Sequence, residues 1–178
     1  MATRIPRRIV DNRPQPFQPG VYMGELTEVQ EQWSDDKKNL ELVMIFTNNT
    51  AVDGDWDPGN RRFYQRANII RDGMSMVDVE AFDDNVHYAL QRAASLLGQM
   101  AVAVGAANVE NGDVLVEWDS FLENLQNGMF KGKKVLYQVY HRTYKRREDP
   151  AERAKWTGIA PEIGTISSPN TDETVRER

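Results

Sequence analysis

Alternation of apolar and polar positions marks out the strands of this chain. Between Asn39 and Asn48, Leu40, Leu42, Met44 and Phe46 share one parity and Glu41, Val43, Ile45 and Thr47 the other, which predicts a strand whose even positions face a core. Lys134 to Tyr144 repeats the pattern, with Val135, Tyr137, Val139, His141 and Thr143 against Leu136, Gln138, Tyr140, Arg142 and Tyr144. Val21 to Glu31, after the Pro19-Gly20 breaker, alternates less cleanly but is rich in strand formers, and Arg61 to Ile70 resumes after the turn-forming run AVDGDWDPGN. Ile159 to Ile166 predicts a last strand that Pro161 confines to a sheet edge.

The period changes to 3.6 in the middle of the chain. From Asp84 onward, Val86, Leu90, Ala93 and Leu97 form one apolar stripe, predicting a helix that Asp83 or Asp84 caps and Gly98 ends. A shorter helix is expected over Ser120 to Asn127, where Ser120 and Glu123 have capping-box spacing and Gly128 follows. The stretch between them, Gln99 to Trp118, reads as a helix end, a hairpin or both, with Val114 to Trp118 as a minor strand. Four prolines in residues 1–20 predict an extended N-terminal arm, and the polar residues 167–178 a flexible C-terminal tail. Residues 21–166 then form a single domain, mainly β with a helical insert. Three strands, a helix and two further strands are the order of an OB-fold, a five-stranded antiparallel barrel with a helix between strands 3 and 4. A helix packed on an open antiparallel sheet would give the same string.

Composition removes much chemistry. The 178 residues include no cysteine and two histidines, His87 and His141, which excludes disulfides, thiol nucleophiles and thiolate zinc sites and disfavours imidazole-based catalysis. Asp53, Asp55 and Asp57 begin like a calcium loop, but Gly59 falls one place late and Tyr64 stands where the closing Glu belongs. No phosphate-cradling glycine loop, nucleophile elbow or paired His-Glu motif occurs, so the expectation is a non-enzyme with no cofactor and no metal. No apolar run approaches membrane-spanning length and residues 1–20 lack the apolar core of a secretory signal, from which a soluble, cytoplasmic protein without membrane partners is expected.

Charge changes the picture. The chain carries a formal net charge of -5, yet residues 61–71 contain four Arg and no acid, and residues 131–147 contain seven Lys or Arg and no acid. Aromatic residues interleave with these cations: Arg62, Tyr64 and Arg66 share a parity on one strand, and Tyr140, Arg142 and Tyr144 on the other. Single-stranded nucleic acid needs both features, cations for phosphates and flat rings on which unpaired bases stack. The candidate nucleic-acid-binding set is Arg62, Tyr64, Arg66, Tyr140, Arg142, Tyr144, Lys145 and Arg146, with Trp33, Lys37 and Lys38 on the loop between the first two strands. The set presupposes that the two basic strands lie together and open one surface. Trp156, Lys155 and the arm residues Arg4, Arg7, Arg8 and Arg13 extend the track. Tyr137 and His141, on the other parity, are expected in the core or at a barrel end. Arg and Tyr are also ordinary occupants of solvated sheet faces, which is the structural alternative.

Pro19-Gly20-Val21-Tyr22, Leu40-Glu41-Leu42, Leu97-Gly98 and Phe130-Lys131-Gly132-Lys133 together resemble a family of phage-encoded OB-fold single-stranded DNA-binding proteins over residues 19–145. The resemblance implies sequence-tolerant protection of single strands in phage DNA replication and recombination, in the cytoplasm of an infected bacterium. Partners would be single-stranded DNA and replication or recombination proteins, with homo-oligomers an open option. Thr171 to Arg178 departs from the strongly acidic tail common in such proteins, which puts tail-mediated recruitment in doubt. The alternative from another class is a phage virion structural protein, capsid-decorating or tail-associated, that uses its extended arm in assembly.

Overall fold

The structure is a computed structural model that describes residues 2–3, 15–78, 88–145 and 157–169. Among the described residues, eight strands run in chain order: β1 (Gly20–Trp33), β2 (Leu40–Asp53), β3 (Phe63–Arg71), β4 (Met74–Ser75), β5 (Asn108–Glu110), β6 (Asp113–Leu115), β7 (Lys134–Lys145) and β8 (Thr157–Ser167). The described residues between β4 and β7 include the helices α1 (Tyr88–Ala103) and α2 (Trp118–Gln126), and a 3-10 turn spans Met76–Asp78. Six strands form one antiparallel sheet in the order β4-β3-β2-β1-β7-β8, and β5 and β6 make a separate hairpin through Asn111 and Gly112, both at positive φ. The main sheet thus has six strands rather than the five expected, the extra one being the two-residue β4. Pro161 lies in β8, at the sheet edge as expected.

The sheet curls because its ladders are interrupted. Three register shifts fall along β1/β2, one in β2/β3 and one in β7/β8, and each bulge bends its strand and adds twist. Curling brings β3 and β8 toward each other, and α1 packs along both. Side chains then take the place of ladder partners: the Ile163 amide donates to Gln65 Oε1 (2.8 Å) and the Ile166 amide to Gln99 Oε1 (2.8 Å). The edge of β8 is covered in this way.

The core lies inside the curl. Leu40, Leu42, Met44 and Phe46 all face it, as their parity predicts, and meet Leu90, Ala93, Leu97 and Met100 of α1. Val43 and Ile45, on the opposite face of β2, are buried as well. In register they stand beside Arg66 and Gln30, and beside Tyr64 and Glu28, so long neighbouring side chains roof them. Helix α1 does not end at Gly98. Burial of Met100 and Ala101 carries it to Ala103, where Gly105 at φ 77° and a bond from the Ala106 amide to the Ala101 carbonyl (2.7 Å) close it. Its predicted start, with Asp83, Asp84, Val86 and His87, lies outside the described residues. Helix α2 starts two residues earlier than expected, with Glu117 at its N-cap and no side-chain cap, so Ser120 forms no capping box. Trp118 packs against Phe121 there (centroids 6.3 Å apart), and that contact favours the longer helix.

A polar knot sits within the core. Asn49 donates to the carbonyls of Phe46 (3.0 Å) and Arg61 (3.1 Å) and accepts from the Tyr137 hydroxyl (2.6 Å). Burial, followed by the nearby Tyr22, pushes the Tyr137 phenol well above its ordinary value near 10. A proton held more tightly in the folded state gives stability that is complete below that ordinary value and lost as pH climbs past it. Unfolding free energy is therefore expected to fall above about pH 10, by up to roughly 1.4 kcal/mol per pH unit, and urea titrations of Tyr137→Phe should show a shallower alkaline limb. An unchanged limb would contradict the assignment to Tyr137.

The chain ahead of β1 belongs to this core. Phe17 is 4% exposed, and His141 Nε2 lies 2.6 Å from its carbonyl oxygen. A carbonyl only accepts, so His141 carries a proton on Nε2. Arg61 Nη1 also donates to the Gln15 carbonyl.

Candidate functional site

Strand β3 places the first half of the candidate set. Its burial alternates strictly from Phe63 to Ala67, so Tyr64 and Arg66 project from the outer face while Phe63, Gln65 and Ala67 point inward. Tyr64 is 54% exposed. Arg66 reaches across β2 to Glu41 Oε2 (3.0 Å) and to Gln32 Oε1 on β1 (2.6 Å). Arg62, just before β3, is exposed at the strand's opposite end from the β1/β2 loop.

Strand β7 is not a neighbour of β3. Strands β2 and β1 separate them on one side of the sheet and β8 on the other, which corrects the expectation that the two basic strands lie side by side. Their inward faces touch in the core, where Phe63 lies 5.5 Å from Tyr137 between ring centroids, and their outward side chains come together across the mouth of the curl. There a cleft of about 880 Å³ opens between β3, β8 and the first turns of α1, and Tyr64, Arg66 and Arg142 all line it. Tyr140 lines a smaller adjoining groove of about 350 Å³, and the two share Tyr88 and Arg92 as walls. The side chains of Tyr144 and Lys145, and Arg146 as a whole, lie outside the described residues, as do Lys155, Trp156 and the arm arginines.

Tyr140 is enclosed. One side of its ring meets the backbone at Gly164, the extra residue of the β8 bulge, where a Cβ would come within 3.4 Å of Tyr140 Cδ1. The Arg92 guanidinium stands over the ring, 5.6 Å from its centroid, and the hydroxyl donates to Glu162 Oε2 (3.4 Å). Glu162 also pairs with Arg142 (2.9 Å) and with Arg92. Burial works against the charge on Arg92, but hydrogen bonding with Tyr140 and the charge of Glu162 outweigh it and raise its pKa. The two acid-free segments of sequence are therefore not acid-free in space, because neighbouring strands supply Glu41 and Glu162.

Trp33, Lys37 and Lys38 stand at the tip of the β1/β2 hairpin. Asp36 organises that loop: its carboxylate accepts from Ser34 Oγ (2.6 Å) and from the Lys38 amide (3.0 Å), and these bonds hold its pKa below the usual range. Trp33 is 43% exposed, with Lys37 Nζ 6.0 Å from its ring centroid. The loop is tied to the β3/β4 turn by bonds from the Gly73 amide to the Lys38 carbonyl (2.9 Å) and from the Asp72 amide to Asn39 Oδ1 (3.0 Å). Because Asp72 lines the cleft, the loop borders one end of it.

Two residues of the cleft escaped the sequence pattern, Tyr88 and Arg92. Tyr88 is 61% exposed. They stand four apart on α1, off the apolar stripe of Leu90, Ala93 and Leu97, and that spacing of an aromatic and a cation on one helix flank is the signal that identifies them. In the acidic loop before β3, the Asp57 carboxylate accepts from the Gly59 amide (2.9 Å), an Asx turn. Among the described residues no group of three or more His, Asp or Glu could hold a metal ion.

No family model matches the chain, and no curated protein matches it.

Proposed function

We propose that this protein binds single-stranded DNA without sequence preference and without catalysis, along the cleft between β3 and β8. The observation that carries this reading is the meeting of Tyr64, Arg66 and Arg142 on one open cleft, with the Tyr64 ring free to stack a base. Tyr88 adds a second exposed ring on the opposite wall, and Arg71 a further cation at the rim. Tyr140, enclosed by Gly164 and Arg92, positions Arg92 and takes no base. We further read the architecture as an OB-fold in which β1, β2, β3, β7 and β8 are the five barrel strands. In that reading the Trp33-Lys37-Lys38 loop joins the first two strands, the position from which OB-folds contact oligonucleotides. A place in phage replication or recombination fits such an activity.

Anisotropy of labelled oligothymidine tests the reading. Affinity is expected to fall steeply as salt rises, since each phosphate neutralised releases counterions. Tyr64→Ala should weaken binding by about 1–3 kcal/mol, the usual worth of one base stacked on an aromatic ring. A variant that binds as tightly as the parent would remove Tyr64 from the interface. Equal affinity for a duplex of the same length would remove the single-strand preference.

A further inference from the structure

Glu162 holds an unusual place for an acid in a cleft read as meeting phosphates. Its side chain is 15% exposed, and two guanidinium groups from different elements converge on it, Arg142 of β7 and Arg92 of α1. The Tyr140 hydroxyl completes the ring of donors around the carboxylate. Arg142 itself remains 54% exposed and, like Glu162, lines the large cleft.

Two guanidiniums and a hydroxyl around a pair of carboxylate oxygens are also the donors a phosphodiester takes, since both anions present two equivalent oxygens to planar N–H forks. We propose that the Glu162 carboxylate occupies the position of a backbone phosphate, and that a bound strand displaces it from Arg142 and Arg92. This deepens the DNA-binding reading above and rests on it. Glu162 is then a competing internal anion. It keeps the two arginines ordered and their positive charge compensated in the free protein, and sets how strongly the cleft attracts a polyanion. A strand gains these cations only by displacing the carboxylate, so the free protein holds non-specific polyanions weakly.

The test is Glu162→Gln, which keeps the size of the side chain and one acceptor oxygen but removes the competing charge. Circular dichroism and thermal melting establish that the variant is folded. Expected is binding to oligothymidine about five- to tenfold tighter at low salt, with a log-log salt slope steeper by roughly 0.7 to 1.4, since each released cation contributes about 0.7 on single strands. Adding Arg142→Gln to that variant should remove about half of the extra slope. On the unmodified chain, the Glu162 carboxyl carbon resonance should move toward that of free glutamate when oligothymidine is added, a readout that does not depend on the variant folding. If Glu162→Gln binds no tighter and the resonance stays in place while Tyr64→Ala still loses affinity, the displacement proposal falls and the DNA-binding reading stands. If the parent and Glu162→Gln both ignore oligothymidine, the two fall together.

Discussion

Gly24→Ala is expected to destabilise the protein by about 3–5 kcal/mol, the sum of an overpacking term and a broken buried hydrogen bond. A Cβ on Gly24 would stand 2.1 Å from Asn49 Oδ1 and 3.0 Å from Tyr137 Cε1. Neither neighbour has room to retreat. Asn49 is held by the carbonyls of Phe46 and Arg61, and Tyr137 is packed at 5.1 Å from Phe46 and 5.5 Å from Phe63 between ring centroids. A methyl group must displace the Asn49 amide, which leaves the Tyr137 hydroxyl without its acceptor. At about 2–4 °C per kcal/mol for a chain of this length, melting should drop by roughly 6–20 °C. Gly98→Ala is the matched control. A Cβ there meets nothing within 4 Å in the interior of α1, so the same exchange should stabilise by about 0.5–1 kcal/mol. Urea unfolding of the pair gives both signs. A Gly24→Ala loss below about 1 kcal/mol would mean that the knot relaxes freely.

The reason Gly24 matters was only partly visible in the sequence. A glycine inside a strand signals a bulge or a close approach, and here both occur. Gly24 faces the two residues Asn48 and Asn49 across a register shift, with Asn48 at φ 53° turning the Asn49 side chain inward. Period-2 patterning told which residues of β2, β3 and β7 face the core, because burial acts on each strand position in turn. It did not reveal that Val43 and Ile45 are also buried, since their cover comes from other strands. Local signals at helix ends were overridden in the same way. Gly98 and Ser120 look like a stop and a cap, but Met100 and Ala101 are buried beyond the one, and Trp118 packs ahead of the other.

Legibility of the candidate site followed the same division. Parity placed Tyr64 and Arg66 on the outer face of β3, and the structure has them there. A window of sequence counts only its own charges, whereas a strand side chain sees the two strands beside it. Arg66 therefore meets Glu41 of β2, and Arg142 meets Glu162 of β8, although neither acid lies in the basic segments. Tyr140 shares the parity of Arg142, but the β8 bulge at Gly164 brings the strand's backbone beneath its ring and α1 delivers Arg92 above it. Bulges and helix docking are tertiary outcomes, and no spacing in β7 announces them.

Phe17→Ala should cost about 3–5 kcal/mol, as large-to-small changes at fully enclosed aromatic positions do. Four prolines around this residue predict an arm, and an arm residue would tolerate truncation. Instead its ring lies edge-on to three others, with centroids 4.8 Å from Tyr22, 4.9 Å from Phe63 and 5.0 Å from Trp56. Each such pair adds about 0.5–1.5 kcal/mol beyond the area buried. The backbone is fastened at the same place: the Phe17 carbonyl accepts from His141 and the Gln18 carbonyl from the Tyr22 hydroxyl (2.7 Å). Losing the ring opens the end of the curled sheet where Tyr22 and Tyr137 lie, so water gains access to a cluster built from β1, β3 and β7. Phe17→Leu, which keeps most of the volume but no ring edge, should cost only about 1–2 kcal/mol. Urea denaturation gives the free energies, and the emission of half-buried Trp56 should shift to the red in Phe17→Ala before any unfolding begins. If Phe17→Ala stays within about 1 kcal/mol of the parent and the emission is unmoved, the segment is a loosely attached arm after all, and the core of this domain begins at Gly20.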